Sequence, residues 1–358
     1  MIHTSTLTLR PIPPYDFQLT GSIFSSGDPQ ICRYEHGALW QVMRLNSKLV
    51  LVTVRSTGTI DAPELSAELK STNKLTEAEH RETEGFIYKT FNLGLDLKPF
   101  YRAVKRDPVL KSITGSLKGL RFVKTASVFE ALVDAICEQQ ISLTVARSVE
   151  TKITKTFGDP VKIGAHTYYA FPTPQSLAGA STDSHGQARG NLSSEQHEPG
   201  TRLRVWEAGY PLAGGALPVE GATGYPLAGV PVIDQLRACG LSQKKAEYVR
   251  DMSRMVADGQ LNPDKFLTYK QMDDVIAELT RIRGIGLWTV EYVLIRGMGR
   301  LEAMPADDLG IRRCISLYYF HGEKITADQA RETAVNWGPW RGLASFYLLS
   351  ATRLGIEV

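Results

Sequence analysis

The sequence is poor in the residues that build metal and redox centres. Its 358 residues include 4 cysteines and 7 histidines. Cys32, Cys137, Cys239 and Cys314 lie far apart and form no C-x-x-C pair, which excludes zinc-ribbon and iron–sulfur spacings. A chain without an export signal keeps its thiols reduced, so free cysteines are expected. No apolar run approaches the roughly 20 residues that span a bilayer. Met1 to Arg10 lacks the charged-then-apolar order of a signal peptide. The expectation is a cytoplasmic protein, nucleoid-associated if prokaryotic, with no targeting segment and no membrane partner. A dominant charge is missing too: 41 Lys+Arg against 38 Asp+Glu leave a net +3, which demands no nucleic-acid partner but leaves room for a local basic surface.

What is present is ordinary globular composition, 43% hydrophobic and 22% charged, over a length that fits two or three domains. Residues 1–98 read as a small α+β domain. Ala38 to Leu45 and Lys48 to Arg55 are β-rich runs parted by Asn46-Ser47, which predicts a strand pair. From Lys98 the apolar spacing turns helical. Ser127-Val-Phe-Glu130 has the form of a capping box, followed by Phe129, Leu132, Val133 and Ile136 on one face. A polar break at Glu138-Gln-Gln-Ile-Ser142 precedes a second helix carrying Val145, Val149, Ile153 and Phe157, ended by Gly158 and Pro160. Further boxes stand at Thr268-Tyr-Lys-Gln271 and Thr326-Ala-Asp-Gln329. Residues 176–230 differ: they hold no lysine and repeat Gly-Tyr-Pro-Leu-Ala-Gly at 209–214 and 224–229. They read as a surface insertion, since a single duplication makes no solenoid.

The chemistry concentrates further on. An apolar helix runs into Gly284-Ile-Gly286, and a second follows at once. Such glycines permit positive φ and close backbone approach, and they leave the next helix's first N–H groups facing outward, where the dipole favours an anion such as phosphate. Taken alone, the pattern fits an ordinary tight turn between core helices. Twenty residues past Trp288 stands Asp308, in Met304-Pro-Ala-Asp-Asp-Leu-Gly-Ile311 ahead of another apolar helix. Taken alone, that aspartate fits an N-cap.

Together these segments resemble the helix-hairpin-helix (HhH-GPD) DNA glycosylases, and within them the 3-methyladenine DNA glycosylase II group. The likeness rests on Pro13-Pro-Tyr-Asp-Phe17, on Phe129 to Ser142, on Gly284-Ile-Gly-Leu-Trp-Thr-Val-Glu-Tyr292, on Pro305 to Ile311 and on Asn336-Trp-Gly-Pro-Trp-Arg341. It implies a mainly α fold with an N-terminal α+β domain and two helical subdomains around a cleft. One would hold 125–300, with the insertion, and the other 99–124 with 301–358. It also implies a monomeric enzyme that removes a damaged base, in the first instance an alkylated purine, from double-stranded DNA. Glycosylases for oxidised or deaminated bases, and a non-catalytic DNA-binding module, are the alternatives.

The same resemblance assigns roles residue by residue. Asp308 is the catalytic aspartate, because Asp308-Leu-Gly-Ile311 matches the family's D-x-x-I, and Asp307 is a cap or helper. Trp288, Tyr292 and Leu309 line the base pocket. Gln139, Gln140 and Ile141 form the turn that probes the duplex, with Gln140 as the wedge. Gly284, Ile285, Gly286 and Arg283 meet the DNA backbone. The carbonyls of Thr280, Ile282 and Ile285 would hold a monovalent cation; no other cofactor is required. Three departures stand out. Arg283 replaces a proline, which would loosen the hairpin or add a phosphate contact. Leu309 replaces an aromatic residue, and a later pocket tryptophan is replaced near Leu349. Relatives that also cut the strand carry a lysine where Trp288 stands, and no lysine occurs from Arg281 to Arg300, so a monofunctional enzyme is expected. Arg281, Arg283, Arg296, Arg300, Arg312 and Arg313 crowd this region as candidate phosphate contacts.

Overall fold

A computed structural model describes residues 1–45, 48–179 and 229–358. The polar break at 46–47, both hexapeptide repeats except Gly229, and His185 and His197 lie outside the described residues. In the N-terminal part, β1 (His3–Leu9), β2 (Cys32–Glu35), β3 (Ala38–Leu45), β4 (Lys48–Ser56) and β5 (Leu65–Ser71) form an antiparallel sheet of order β1-β5-β4-β3-β2. The expected strand pair is β3 against β4, in register Leu45 to Lys48 and Ala38 to Arg55. Alternation puts Val50, Val52 and Val54 of β4 into a core with Ile87 and Phe91. That core is covered by α1 (Phe17–Ser22) and α2 (Glu77–Thr90), the latter opened by a complete capping box of Thr76 and Glu79.

The rest is helical apart from the hairpin β6 (Pro160–Ile163) and β7 (His166–Tyr169). The helices are α3 (Lys98–Ala103), α4 (Pro108–Ser116), α5 (Val128–Glu138), α6 (Leu143–Phe157), α7 (Pro174–Ala178), α8 (Val232–Ala238), α9 (Gln243–Ala257), α10 (Met272–Leu279), α11 (Leu287–Arg296), α12 (Leu309–Tyr319), α13 (Ala327–Val335) and α14 (Arg341–Arg353). One hydrophobic cluster joins α5, α6, α8, α9, α10 and α11, with Leu132, Ile136, Val249, Val275 and Val290 at its centre. A second joins α3, α4, α12, α13 and α14 around Phe100, Ile315, Trp337 and Tyr347.

Local signals account for most helix ends. The Ser142 hydroxyl accepts the Val145 N–H at 3.4 Å and starts α6, and Thr326 with Gln329 forms a complete box on α13. Three readings need correction. Thr268 does not cap α10: its hydroxyl donates to the Lys265 carbonyl at 2.7 Å, because Pro263–Thr268 is itself a short 3₁₀ turn, and α10 starts after Gln271. Glu130 bonds the N–H of Ala126 rather than that of Ser127, so that box is half formed. Val145 is 51% exposed, since the buried stripe of α6 begins one residue later, at Ala146. The insertion also starts later than expected: Leu177 of α7 is fully buried in the first helical cluster.

The Pro13-Pro-Tyr-Asp-Phe17 motif joins the sheet to the helices. Asp16 caps α1 by accepting the Leu19 N–H at 2.8 Å. The buried Arg121 guanidinium lies 5.0 Å from the Tyr15 ring and donates to the carbonyls of Ile12 and Asn92. Carbonyls and a π face thus hold this buried cation in place of a carboxylate.

Candidate active site and DNA-facing surface

The hairpin turn begins where α10 ends, and its two glycines do different things. Gly284 sits at φ +89°, and a Cβ there would lie 2.3 Å from the Tyr248 ring of α9. Gly286 is extended, at φ −98°, and a Cβ there would meet nothing within 4 Å. Gly286 is the N-cap residue of α11, and no side chain caps that end among the described residues. The first amide N–H groups of α11 are therefore left for an external acceptor, where the helix dipole favours negative charge. Ile285 between the glycines is buried and anchors the turn in the core.

Arg283 has charged partners on α9. It pairs with Glu247 at 3.0 Å and Asp251 at 3.9 Å, and lies 5.3 Å from the Tyr248 ring, tying the hairpin to α9. Among the other arginines, Arg296 bonds the Val123 carbonyl at 2.8 Å. Arg300 bonds the carbonyls of Tyr269 and Lys270, and Arg312 that of Asp307. The side chains of Arg281 and Arg313 are exposed and make no hydrogen bond among the described residues, so they stand with the exposed Arg283 as candidates for phosphate.

The α5–α6 turn is built against the hairpin. Lys245 of α9 donates to the carbonyls of Cys137 at 2.8 Å and Gln139 at 2.6 Å, satisfying the end of α5. The Gln139 amide donates to the Gly284 carbonyl at 2.9 Å and the Thr289 hydroxyl at 3.0 Å. Gln139 is thus a brace between two motifs rather than a free probe. Gln140, at φ +57°, and Ile141, 39% exposed, form the outward tip. Leu143, Val145 and Leu287 are exposed apolar residues that pattern reading missed, because a helical stripe gives no hint of which apolar residues stay uncovered.

Asp308 joins the two helical clusters. Its Oδ1 accepts the Ile311 N–H at 3.0 Å, so it is the N-cap of α12. Its Oδ2 accepts the Trp288 indole N–H at 3.3 Å. One carboxylate therefore caps α12 through one oxygen and meets the Trp288 indole through the other. Asp307 is not the cap: it is exposed and pairs with Arg331 of α13 at 3.0 Å, while Arg331 also reaches Glu291 of α11 at 3.7 Å. Burial pushes the Glu291 carboxyl up to about 7, outweighing Arg331. Sequence spacing gave no hint of this bridge.

Trp288 and Tyr292 lie one turn apart, with ring centroids 5.8 Å apart and planes at 40°. The Tyr292 hydroxyl donates to Glu138 Oε1 at 2.8 Å. Burial, with Glu138 beside it, holds the Tyr292 phenol well above its usual range, so it stays a neutral donor. Leu349 approaches the start of α12: a Cβ on Gly310 would lie 3.0 Å from Asp308 Oδ1 and 3.4 Å from the Leu349 side chain. Leu309 is 63% exposed, an open apolar rim beside the carboxylate rather than an enclosed wall. A partly open pocket nearby, lined by Glu291, Met304, Arg331 and Arg341 among others, does not include Asp308, Trp288 or Tyr292. All four cysteines are unpaired, three of them buried. No helix among the described residues is long and apolar enough to cross a membrane.

This arrangement has known counterparts. Residues 227–339 match the model of the HhH-GPD superfamily of base excision DNA repair proteins. A DNA-3-methyladenine glycosylase of Bacillus subtilis is 28% identical over 280 residues, 78% of this chain and 75% of the relative. A 3-methyladenine DNA-glycosylase from Archaeoglobus fulgidus superposes with a TM-score of 0.74 at 24% identity, covering 98% of this chain and all of the other. An 8-oxoguanine glycosylase/lyase of Clostridium acetobutylicum, solved with double-stranded DNA, shares the fold at TM-score 0.65 and 16% identity over all of this chain and 99% of that one. With the hairpin, the brace and Asp308 in the order and contacts described, residues 227–339 are similar to the HhH-GPD superfamily of base excision DNA repair proteins, and most of the chain is similar to a DNA-3-methyladenine glycosylase.

Proposed function

We propose that this protein is a monofunctional DNA N-glycosylase that everts damaged bases from duplex DNA, alkylated purines foremost, and hydrolyses their N-glycosidic bond. The observation that carries this reading is Asp308: one oxygen is fixed by the Ile311 N–H and the other by Trp288. A carboxylate oriented in this way is what an oxocarbenium-like sugar requires, because preorganised negative charge stabilises developing positive charge at little reorganisation cost. It can also orient the attacking water. Extruding a base costs a few kcal/mol of stacking, and Trp288 with Tyr292 offers π faces that offset part of that cost.

The exposed tip Gln140-Ile141 fills the gap left in the duplex, and the free N–H groups after Gly286 hold a phosphate on one strand. The carbonyls of Thr280, Ile282 and Ile285 are neutral hard donors of the kind a cation takes. That of Ile282 already accepts the Ile285 N–H at 3.1 Å and keeps one lone pair. A monovalent cation held there would stiffen the turn. With Trp288 in the place of the strand-cutting lysine, hydrolysis leaves an intact abasic strand. The protein acts as a monomer on damaged duplex.

The test is release of free base from alkylated duplex, followed by borohydride treatment. Base release with no trapped protein–DNA adduct fits the reading. A trapped adduct would overturn monofunctionality, and tight binding without release would leave a non-catalytic binding module.

A further inference from the structure

We infer that Glu138 selects the charge of the base: with Asp308 it makes the pocket a site for a cationic ring, so that positively charged alkylpurines are removed in preference to neutral lesions. This inference rests on the glycosylase reading.

Glu138 is the last residue of α5 and is held through its neighbours and one carboxyl oxygen. Lys245 holds the carbonyls of the residues before and after it, and the neighbouring Gln139 is bound to the hairpin. Its Oε1 accepts the Tyr292 hydroxyl at 2.8 Å, which places the carboxyl group at the Tyr292 end of the Trp288–Tyr292 pair. Asp308 stands at the other end of that pair, on the Trp288 indole. Oε2 makes no hydrogen bond among the described residues. Two carboxyl groups thus bracket one aromatic wall.

The charges around Glu138 make this a demanding position. Asp134 lies on its own helix, Arg147 and Glu150 on α6, Tyr292 and Arg296 on α11, and Asp308 at the start of α12. Burial first, and then Asp308, oppose the ionised form of Glu138, while Tyr292 and Arg296 favour it. A cationic ring inserted between Glu138 and Asp308 removes their mutual repulsion and replaces a lost hydration shell; a neutral ring does neither. The residues around Asp308 make the requirement sharper. Leu309 and Leu349 are aliphatic and offer no π face to a cation, so the carboxyl groups take over that part of the recognition.

The experiment compares base release from duplexes bearing 7-methylguanine, which is cationic, and hypoxanthine, which is neutral, with wild-type protein, Glu138→Gln, Tyr292→Phe and Asp308→Asn. In Glu138→Gln the kcat/KM on 7-methylguanine should fall about tenfold, equivalent to about 1.4 kcal/mol, with the hypoxanthine value changing less than about twofold. Tyr292→Phe keeps the carboxyl group and should keep the ratio between the two substrates. An unchanged ratio in Glu138→Gln, or equal losses on both substrates, overturns the inference, as does a Tyr292→Phe variant that loses the ratio to the same extent. Glu138→Gln removes a charge that burial opposes, so its melting temperature should not drop; a loss of fold would itself contradict the assignment. Wild-type protein inactive on both duplexes, or Asp308→Asn as active as wild type, would instead sink the glycosylase reading.

Discussion

The two hairpin glycines make a matched pair of perturbations. At Gly284, alanine must adopt φ +89° and place its methyl 2.3 Å from the Tyr248 ring. The left-handed conformation costs a non-glycine residue roughly 1–2 kcal/mol, and overpacking a filled site costs typically about 1–3. The sum, about 2–5 kcal/mol, is a large fraction of a typical domain's stability of roughly 5–15 kcal/mol. Moving Tyr248 also disturbs Arg283 and its carboxylate partners. At Gly286 the backbone is unstrained and the methyl meets nothing. The cost there is a weaker N-cap, about 1 kcal/mol or less, but the methyl projects where a strand would approach the α11 amides. Urea denaturation at constant slope should show a much lower midpoint for Gly284→Ala and little change for Gly286→Ala. Duplex affinity measured under folded conditions should fall in Gly286→Ala. Equal stabilities, or a Gly286→Ala variant that is the less stable and binds DNA as wild type, would refute this division of labour.

Three further outcomes follow from single contacts. Gln139→Ala strands the Gly284 carbonyl and the Thr289 hydroxyl, so it should destabilise by about 1–3 kcal/mol, whereas Gln140→Ala should leave the melting temperature unchanged and weaken binding to lesion-bearing duplex. Glu291 carries a raised folded pKa, about 7, against an ordinary carboxylate when unfolded. The unfolded chain therefore loses its proton first, and stability falls as pH rises from about 4.5 to about 7, by up to about 3 kcal/mol; Glu291→Gln should flatten that part of the stability–pH curve, and an identical slope would refute the assignment. Arg331→Ala unlinks Asp307 from α11, and single-turnover base release should slow more than duplex affinity weakens; an unchanged rate would show that the bridge does not position the catalytic loop.

The parts of the molecule that local chemistry decides were legible in the sequence. Ser142 and Thr326 start helices where a hydroxyl precedes an apolar stripe, and Gly284-Ile-Gly286 marks the hairpin because a glycine is needed at positive φ. What escaped depends on tertiary meetings. The Glu138–Tyr292 bond, the Gln139 brace and the Arg331 bridge join residues 154, 145 and 24 positions apart, and no spacing rule connects them. The ion pairs of Arg283 escaped because Glu247 and Asp251 lie a helix away. Asp308 reads as a cap from its place ahead of an apolar helix, but its contact with Trp288, 20 positions away, is set only by the fold. Thr268 misled because its box pattern is real but the chain is already turning in a 3₁₀ segment.

The central claim is that the Asp308 carboxylate breaks the glycosidic bond. Asparagine is the right replacement, since it remains a good N-cap and can still accept the Ile311 N–H. Single-turnover release of alkylated base should therefore fall by about two to three orders of magnitude in Asp308→Asn, with duplex binding and melting temperature retained. Release at the wild-type rate by a folded, DNA-bound Asp308→Asn would contradict it.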